Sequence, residues 1–190
     1  MYNNDIVFMF YSKSKNGPFP GYGTNEKMID LDKDKYENLH KIPEWRKKLS
    51  NFWCNEFDLD GKKWLSVEHY YQGSKFKKEN PDFYHQFSLS SNSDICRDPN
   101  MAKSAGGKTG KIKKIQYRNK NIKADADFFT TERQNEEMYL AQYAKFSQNS
   151  DLKYLLLETH DAKLMHIVGR SSIPIFFESL VIIRSIFLKE

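Results

Sequence analysis

Runs of apolar residues set the first expectations for this chain. Asp5–Tyr11 (DIVFMFY) is apolar from Ile6 onward and ends in the turn-forming cluster Ser12–Pro18, which predicts a buried strand. Glu56–Trp64 places Asp60-Gly61 between two short extended runs, the strongest hairpin signal in the chain. Ser66 then stands where a helix cap is needed, with the helix starting at Val67. Further on, a helix is predicted over Asp82–Phe87, and a long one from Thr131 to Ser147, packed through Met138, Ala141, Tyr143, Ala144 and Phe146. Ser150 is placed to cap the next, which runs to Glu158 and is apolar at Leu152, Leu155 and Leu156. Ala162–Val168 reads as extended, and Pro174 as the opening of a last helix with Phe176, Phe177, Leu180, Ile183 and Phe187 on one face. Between the first strand and the hairpin lie a Gly/Pro loop, a short helix at Asp34–His40 and another at Glu44–Leu49, opened by Pro43. Few strands among many helices read as α+β: one helix-rich domain over 1–190 with a small sheet and a hairpin.

Composition narrows the class. At 190 residues, with 39% hydrophobic and 15% aromatic residues, one core is within reach, while 29% charged residues give a polar exterior. The longest apolar runs, Ile173–Phe177 and Leu180–Ile183, fall far short of a bilayer span, and no basic region precedes the first apolar stretch as a signal peptide requires. The expectation is an intracellular, cytoplasmic protein without a membrane partner. Cys54 and Cys96 sit in unrelated contexts, so neither a disulfide nor a metal site is expected, and no cofactor is implied. The net charge of +5 is unevenly spread: Met101–Lys123 holds eight Lys or Arg and no acid. Two readings stand for that tract, a solvated loop and a dock for something anionic.

Candidate chemistry concentrates in one helix. Glu68, Tyr71, Gln72 and Lys75 follow at i, i+3, i+4 and i+7 and share a face. Glu68 lies in the first turn, where free N–H groups and the helix dipole favour an ionised carboxylate, whereas burial beside aromatics favours the protonated form. It reads equally as a catalytic base or charge stabiliser and as a structural carboxylate paired with Lys75 or a distant arginine. His69 points about 100° away on this period, so a Glu-His dyad is not expected and a packed, hydrogen-bonded ring is. Ala102–Thr109 satisfies a relaxed P-loop pattern but lacks the strand before it and the helix after it; what survives is a backbone nest at Gly106 and Gly107 beside Lys103 and Lys108. His160 and His166 lack a carboxylate at ligand spacing.

The block Ser66-Val-Glu-His-Tyr-Tyr-Gln-Gly-Ser-Lys-Phe76 resembles the signature of the NADAR family, the YbiA-like N-glycosidases. Ile6–Ser12 (IVFMFYS), Leu49–Trp53 (LSNFW), Phe57–Trp64 (FDLDGKKW), Met101–Gly107 (MAKSAGG), Met138–Phe146 and Leu152–Thr159 resemble further family segments in the same order. The resemblance implies an N-glycosidase acting on a ribosylated heterocycle, either a phosphorylated ribosylamino-pyrimidine of riboflavin synthesis or ADP-ribose joined to a base, including on nucleic acid. It implies Glu68 as the catalytic carboxylate, and Tyr11, Ser12, Asn51, Phe52, Trp64, Tyr71, Gln72, Lys75, Gly106 and Lys145 as substrate-binding residues. It also marks residues 13–48 as an insertion. The chain departs from the family at Phe128-Phe129, where a Trp is usual, and at Gly169–Pro174, where an acid and Trp-Gly are usual; Asp125, Asp127 and Arg170 are the candidate substitutes. A module that binds ADP-ribose or nucleic acid without turnover is the second reading.

Overall fold

The computed structural model describes residues 2–15, 17–167 and 173–190. In chain order the elements are β1 (Asn3–Phe10), α1 (Glu37–Lys41), α2 (Trp45–Lys48), β2 (Phe57–Leu59), β3 (Lys62–Trp64), α3 (Val67–Ser74), α4 (Pro81–His85), α5 (Pro99–Gly106), β4 (Lys111–Ile112), β5 (Ile115–Gln116), α6 (Arg133–Gln148), α7 (Ser150–Leu157), β6 (Ala162–His166), β7 (Ile175–Phe176) and α8 (Glu178–Phe187). The fold is α+β, helix-rich with small sheets. It divides into two compact units, Met1–Trp53 with Asn149–Glu190, and Cys54–Gln148.

The first unit is built on a three-stranded sheet of order β1-β6-β7, with β1 parallel to β6 and β7 antiparallel to it. Ile6, Phe8 and Phe10 alternate onto one face and are wholly buried, and Met9 on the other is nearly so; burial on both faces explains the near-continuous apolar run. Leu152, Leu155 and Leu156 of α7 and Leu180, Ile183 and Phe187 of α8 are buried as their spacing predicts. The loop after β1 is tied back by Glu26. Its carboxylate takes both Nε and Nη2 of Arg46, at 3.0 and 2.7 Å, and accepts the backbone N–H groups of Met9, Gly21 and Gly23.

Several expectations are corrected here. Pro174 precedes the short strand β7, so Phe176 lies in the sheet and the helix begins at Glu178. Asn149, not Ser150, holds the cap position of α7. Glu44 caps α2 in a left-handed conformation (φ 57°), with Pro43 ahead of it. Strand β6 ends at His166, and Val168 and Arg170 lie outside the described residues.

The second unit begins with the β2–β3 hairpin, whose turn residues Asp60 and Gly61 both have positive φ (54° and 66°), the conformation an Asp-Gly turn favours. The hairpin leads directly into α3, which packs against α5 on one side and α6 on the other. Asp98 caps α5 by accepting the Asn100 N–H at 2.8 Å, and Pro99 occupies its first turn. Met101–Lys123 is therefore a helix followed by the β4–β5 hairpin, in place of the loop that charge alone suggests.

Candidate active site

Helix α3 places its polar face as the sequence period requires. Gln72 Nε2 donates to Glu68 Oε1 at 2.9 Å, and Lys75 Nζ donates to Gln72 Oε1 at 2.6 Å and to the Gly106 carbonyl at 3.3 Å. The ammonium also lies 5.2 Å from the centre of the Tyr71 ring and 5.7 Å from that of Phe129. Carboxylate, amide and ammonium thus form one ladder of successive helical turns.

All three are buried, with Glu68 only 6% exposed. Burial raises the proton affinity of Glu68 above the ordinary carboxylate range, against the opposing pull of the Gln72 hydrogen bond and the charges of Lys103 and Lys75. The same burial lowers Lys75 to about 8, opposed by Glu68 and assisted by the repulsion of Arg118. Burial therefore outweighs the Gln72 hydrogen bond and the two lysine charges in the direction of the Glu68 shift.

Ser66 occupies the cap position of α3, yet its hydroxyl pairs with Nδ1 of the wholly buried His69 at 2.8 Å and caps no backbone N–H. The ring is packed and hydrogen-bonded as expected, and burial lowers its pKa to about 4, against the field of Asp98. At the other end of the helix Arg133 Nη2 donates to the Ser74 carbonyl at 2.7 Å, and the Asp125 N–H donates to the Lys75 carbonyl at 2.7 Å. These bonds supply partners for terminal carbonyls that a helix leaves open.

Beside Lys75 opens a cavity of about 640 Å³, lined by Lys75, Lys108, Arg118, Lys120 and Lys123, with no carboxylate in its wall. Phe129, 56% exposed, and Ile122 supply apolar wall. Gly106 lines the cavity too, whereas Gln72 and Glu68 are buried behind its wall, Glu68 two steps along the ladder from Lys75. Arg118 folds this wall together by donating to the carbonyls of Ala105 (3.0 Å) and Lys108 (3.1 Å) at the end of α5.

Other sequence candidates fare differently. Trp64 is wholly buried, its indole N–H donating to the Leu59 carbonyl at 2.9 Å and its ring packed on Tyr70 and Tyr84, so it has no face for a heterocycle. Asp125 is held by Arg133 and the N–H groups of Lys78 and Glu79, and Asp127 by Lys78 and Arg133; both serve the end of α3 and do not replace a catalytic acid. Gly106 and Gly107 form no anion nest, because they end a helix where carbonyls point outward and the Gly107 N–H is already bonded to Ser104. Lys145, which the resemblance implies as a substrate contact, is fully buried in α6, its Nζ 4.9 Å from the Phe146 ring centre. Tyr11, Ser12, Asn51 and Phe52 belong to the first unit, where all four are half-buried. Among the described residues no group of His, Cys, Asp and Glu is placed to hold a metal ion.

Sequence reasoning missed Arg118 and Phe129 as cavity residues. The Asp98-Pro99 pair signals the start of α5, from which the position of the cavity wall follows.

A family model described as the NADAR domain matches residues 39–173, most of the chain. The chain belongs to the NADAR family. The matched span contains the Ser66–Phe76 helix, Asn51, Phe52, Gly106 and Lys145, and leaves Tyr11 and Ser12 outside. Among solved structures, the NMR structure of the E. coli protein YbiA is similar over 100% of this chain and 88% of that chain, with a TM-score of 0.59 at 21% identity. That likeness shows a shared fold. No curated protein matches. Family membership carries the expectation of enzymatic activity for this chain.

Proposed function

We propose that this NADAR protein hydrolyses the N-glycosidic bond of a ribosylated, phosphorylated heterocycle, with Glu68 as the catalytic carboxylate. One observation carries the reading: a buried carboxylate of raised proton affinity connects through Gln72 to Lys75 in the wall of an acid-free cationic cavity. A phosphate in that cavity meets Lys75 and its neighbouring cations, and the sugar extends along Tyr71 and Gln72 toward Glu68. The carboxylate orients an attacking water and takes its proton as the water oxygen bonds to the anomeric carbon. The C–N electron pair leaves with the heterocycle, which is then protonated. Raised basicity suits such a base at neutral pH, and help of this type is typically about 10²–10⁴-fold. The substrates that fit are ribosylamino-pyrimidine phosphates and base-linked ADP-ribose.

The test is incubation with a panel of both classes, read by mass spectrometry for free heterocycle. Wild type releases it, and Glu68→Gln slows release by about 10²-fold or more while staying folded. Retention of substrate without release by wild type would favour the non-catalytic binding reading, and an undiminished rate in Glu68→Gln would remove Glu68 from the chemistry.

A further inference from the structure

We propose that Arg133, in the first turn of α6, is a positioning residue for Lys75: it fixes both the backbone that carries the lysine and the rings that flank its ammonium. Arg133 is buried and is not part of the cavity wall, so it acts through Lys75 and not on a ligand. Its Nη2 donates at 2.7 Å to the carbonyl of Ser74, the residue before Lys75. Its Nη1 lies 2.8 Å from Asp125 Oδ2, and Asp125 passes the hold on. The Asp125 N–H donates to the Lys75 carbonyl at 2.7 Å, and the Asp125 carboxylate accepts the N–H groups of Lys78 and Glu79, each at 3.0 Å. Nε reaches Glu137 at 3.4 Å, and Glu137 accepts the hydroxyl of Tyr70 on the far side of α3 from Glu68. A helix otherwise leaves its last carbonyls without partners and frays there.

The same guanidinium reaches Lys75 by a second route. It lies 5.5 Å from the ring centre of Phe128, a wholly buried side chain whose ring packs on Tyr71 at 5.7 Å and on Phe129 at 4.9 Å. Those are the two rings beside the Lys75 ammonium. The charge of Arg133 is not what Lys75 senses. Asp125, Asp127 and Glu137 all lie within ion-pair distance of it, whereas the charges that act on Lys75 are Glu68 on its own helix and Arg118 in the cavity wall, which also carries Lys108, Lys120 and Lys123. A lysine in place of Arg133 keeps the charge but has all its donors on one nitrogen, and cannot span Ser74, Asp125 and Glu137 together. Geometry and charge therefore separate in one substitution.

The experiment follows the Lys75 ammonium directly, by NMR titration of its side-chain Cε signal in the full chain, assigned by the loss of that signal in Lys75→Arg. In wild type burial holds the group at about 8. In Arg133→Lys the loosened side chain turns into the open cavity, where solvent reaches it, and the titration moves up toward the ordinary 10.5. Asp127→Asn removes the most exposed partner of Arg133, leaves the other three, and titrates as wild type. Arg133→Gln/Asp125→Asn removes the cation and its buried partner together, so that neither is left uncompensated; it takes the place of Arg133→Lys if that variant does not fold, with the same upward move expected. A Lys75 signal unmoved in a folded Arg133 variant overturns the proposal, as does an equal move in Asp127→Asn. Loss of folding in both Arg133 variants overturns it too, making Arg133 a prop of the whole unit. The kinetic arm rests on the glycosidase reading: kcat/KM of Arg133→Lys for a phosphorylated substrate falls by about 10²-fold at neutral pH, carried by KM, because Lys75 binds phosphate in ground and transition state alike. Wild type that releases no heterocycle from any substrate ends that reading and leaves the Lys75 titration standing. Turnover with an unmoved Lys75 ends the positioning role and leaves the reading intact.

Discussion

The contact between α3 and α5 makes Gly106→Ala the most discriminating substitution in the molecule. A β-carbon built at Gly106 lies 2.7 Å from Cβ of Gln72 and 3.1 Å from its Cδ, and meets the amide oxygen as well. Carbon atoms in contact prefer about 3.5–4.0 Å, so the shortfall approaches an ångström. Rotating the Gln72 amide relieves only part of it, because Cβ is fixed to the α3 backbone. The helices must part or Gln72 must be driven from its rotamer. Overpacking of this kind costs about 1–3 kcal/mol, offset by no more than about 1 kcal/mol from the better helix propensity of alanine. The backbone at Gly106 is helical, so the effect is steric rather than conformational.

Gln72 is also the middle rung of the ladder. Displacing it removes the amide donor that holds the proton affinity of Glu68 down, and takes from Lys75 its nearer acceptor. The acid limb of kcat/KM therefore moves to higher pH, and a misplacement of this size lowers the rate by about 10²-fold. The assay is a double-mutant cycle by urea denaturation with Gln72→Gly, which removes every clashing atom. Gly106→Ala destabilises wild type but not the Gln72→Gly background, a coupling of about 1–3 kcal/mol, the overpacking cost itself. Strictly additive penalties, or a Gly106→Ala protein with an unshifted pH profile, would refute this account of the site.

Two further outcomes concern pH. Lys75 must be charged to hold a phosphate and burial lowers it to about 8, so kcat/KM falls above pH about 8, and Lys75→Arg pushes that alkaline limb out of range. A limb unmoved by Lys75→Arg assigns it to another group. His69 has a pKa of about 4 when folded against 6.5 when free, so the unfolded chain binds the proton first as pH falls. Stability present above pH 6.5 is lost between 6.5 and 4, by about 3 kcal/mol, and His69→Gln flattens that part of the denaturation profile. Glu68, shifted the other way, contributes with opposite sign in its own window, which is why the comparison is made between the variant and wild type.

Much of the site was readable because its information is local. The period of Glu68, Tyr71, Gln72 and Lys75 fixes a shared face whatever packs against it, and Asp60-Gly61 fixes the turn that aims the helix. Depth was not readable. Trp64 and Lys145 carry no mark in the sequence that says whether they meet ligand or core, and both are wholly buried. Asp125 and Asp127 look like candidate acids until Arg133, six to eight residues away, is seen to hold both. The β4–β5 hairpin turns through Lys113 in a left-handed conformation (φ 52°), which no residue in that turn advertises. Competing signals explain the helix α5: a Gly-Gly-Lys-Thr string drew attention to phosphate loops, while Asp98-Pro99, a few residues earlier, carried the correct message.

The two readings of Glu68 differ in the sign of one stability change. A structural carboxylate paired directly with Lys75 stabilises the fold, and removing its charge leaves a buried ammonium uncompensated at a cost of about 3–5 kcal/mol. The geometry is different: Lys75 meets Glu68 through the neutral Gln72 amide, and the net effect of the surroundings is to raise the proton affinity of the carboxyl. For a group whose folded pKa is raised, stability is present below the unfolded value and is lost as pH rises through the folded one, so above the unfolded value the Glu68 carboxyl works against folding. Glu68→Gln keeps the size and an acceptor for Gln72 Nε2 and removes the charge. It is expected to be at least as stable as wild type at pH 7 in urea denaturation, and to lose its advantage at pH 4, where the wild-type carboxyl is protonated. Functional sites carry such costs, which is what a stability gain accompanied by lost turnover would show. A Glu68→Gln protein destabilised by several kcal/mol at pH 7 would instead restore the structural carboxylate.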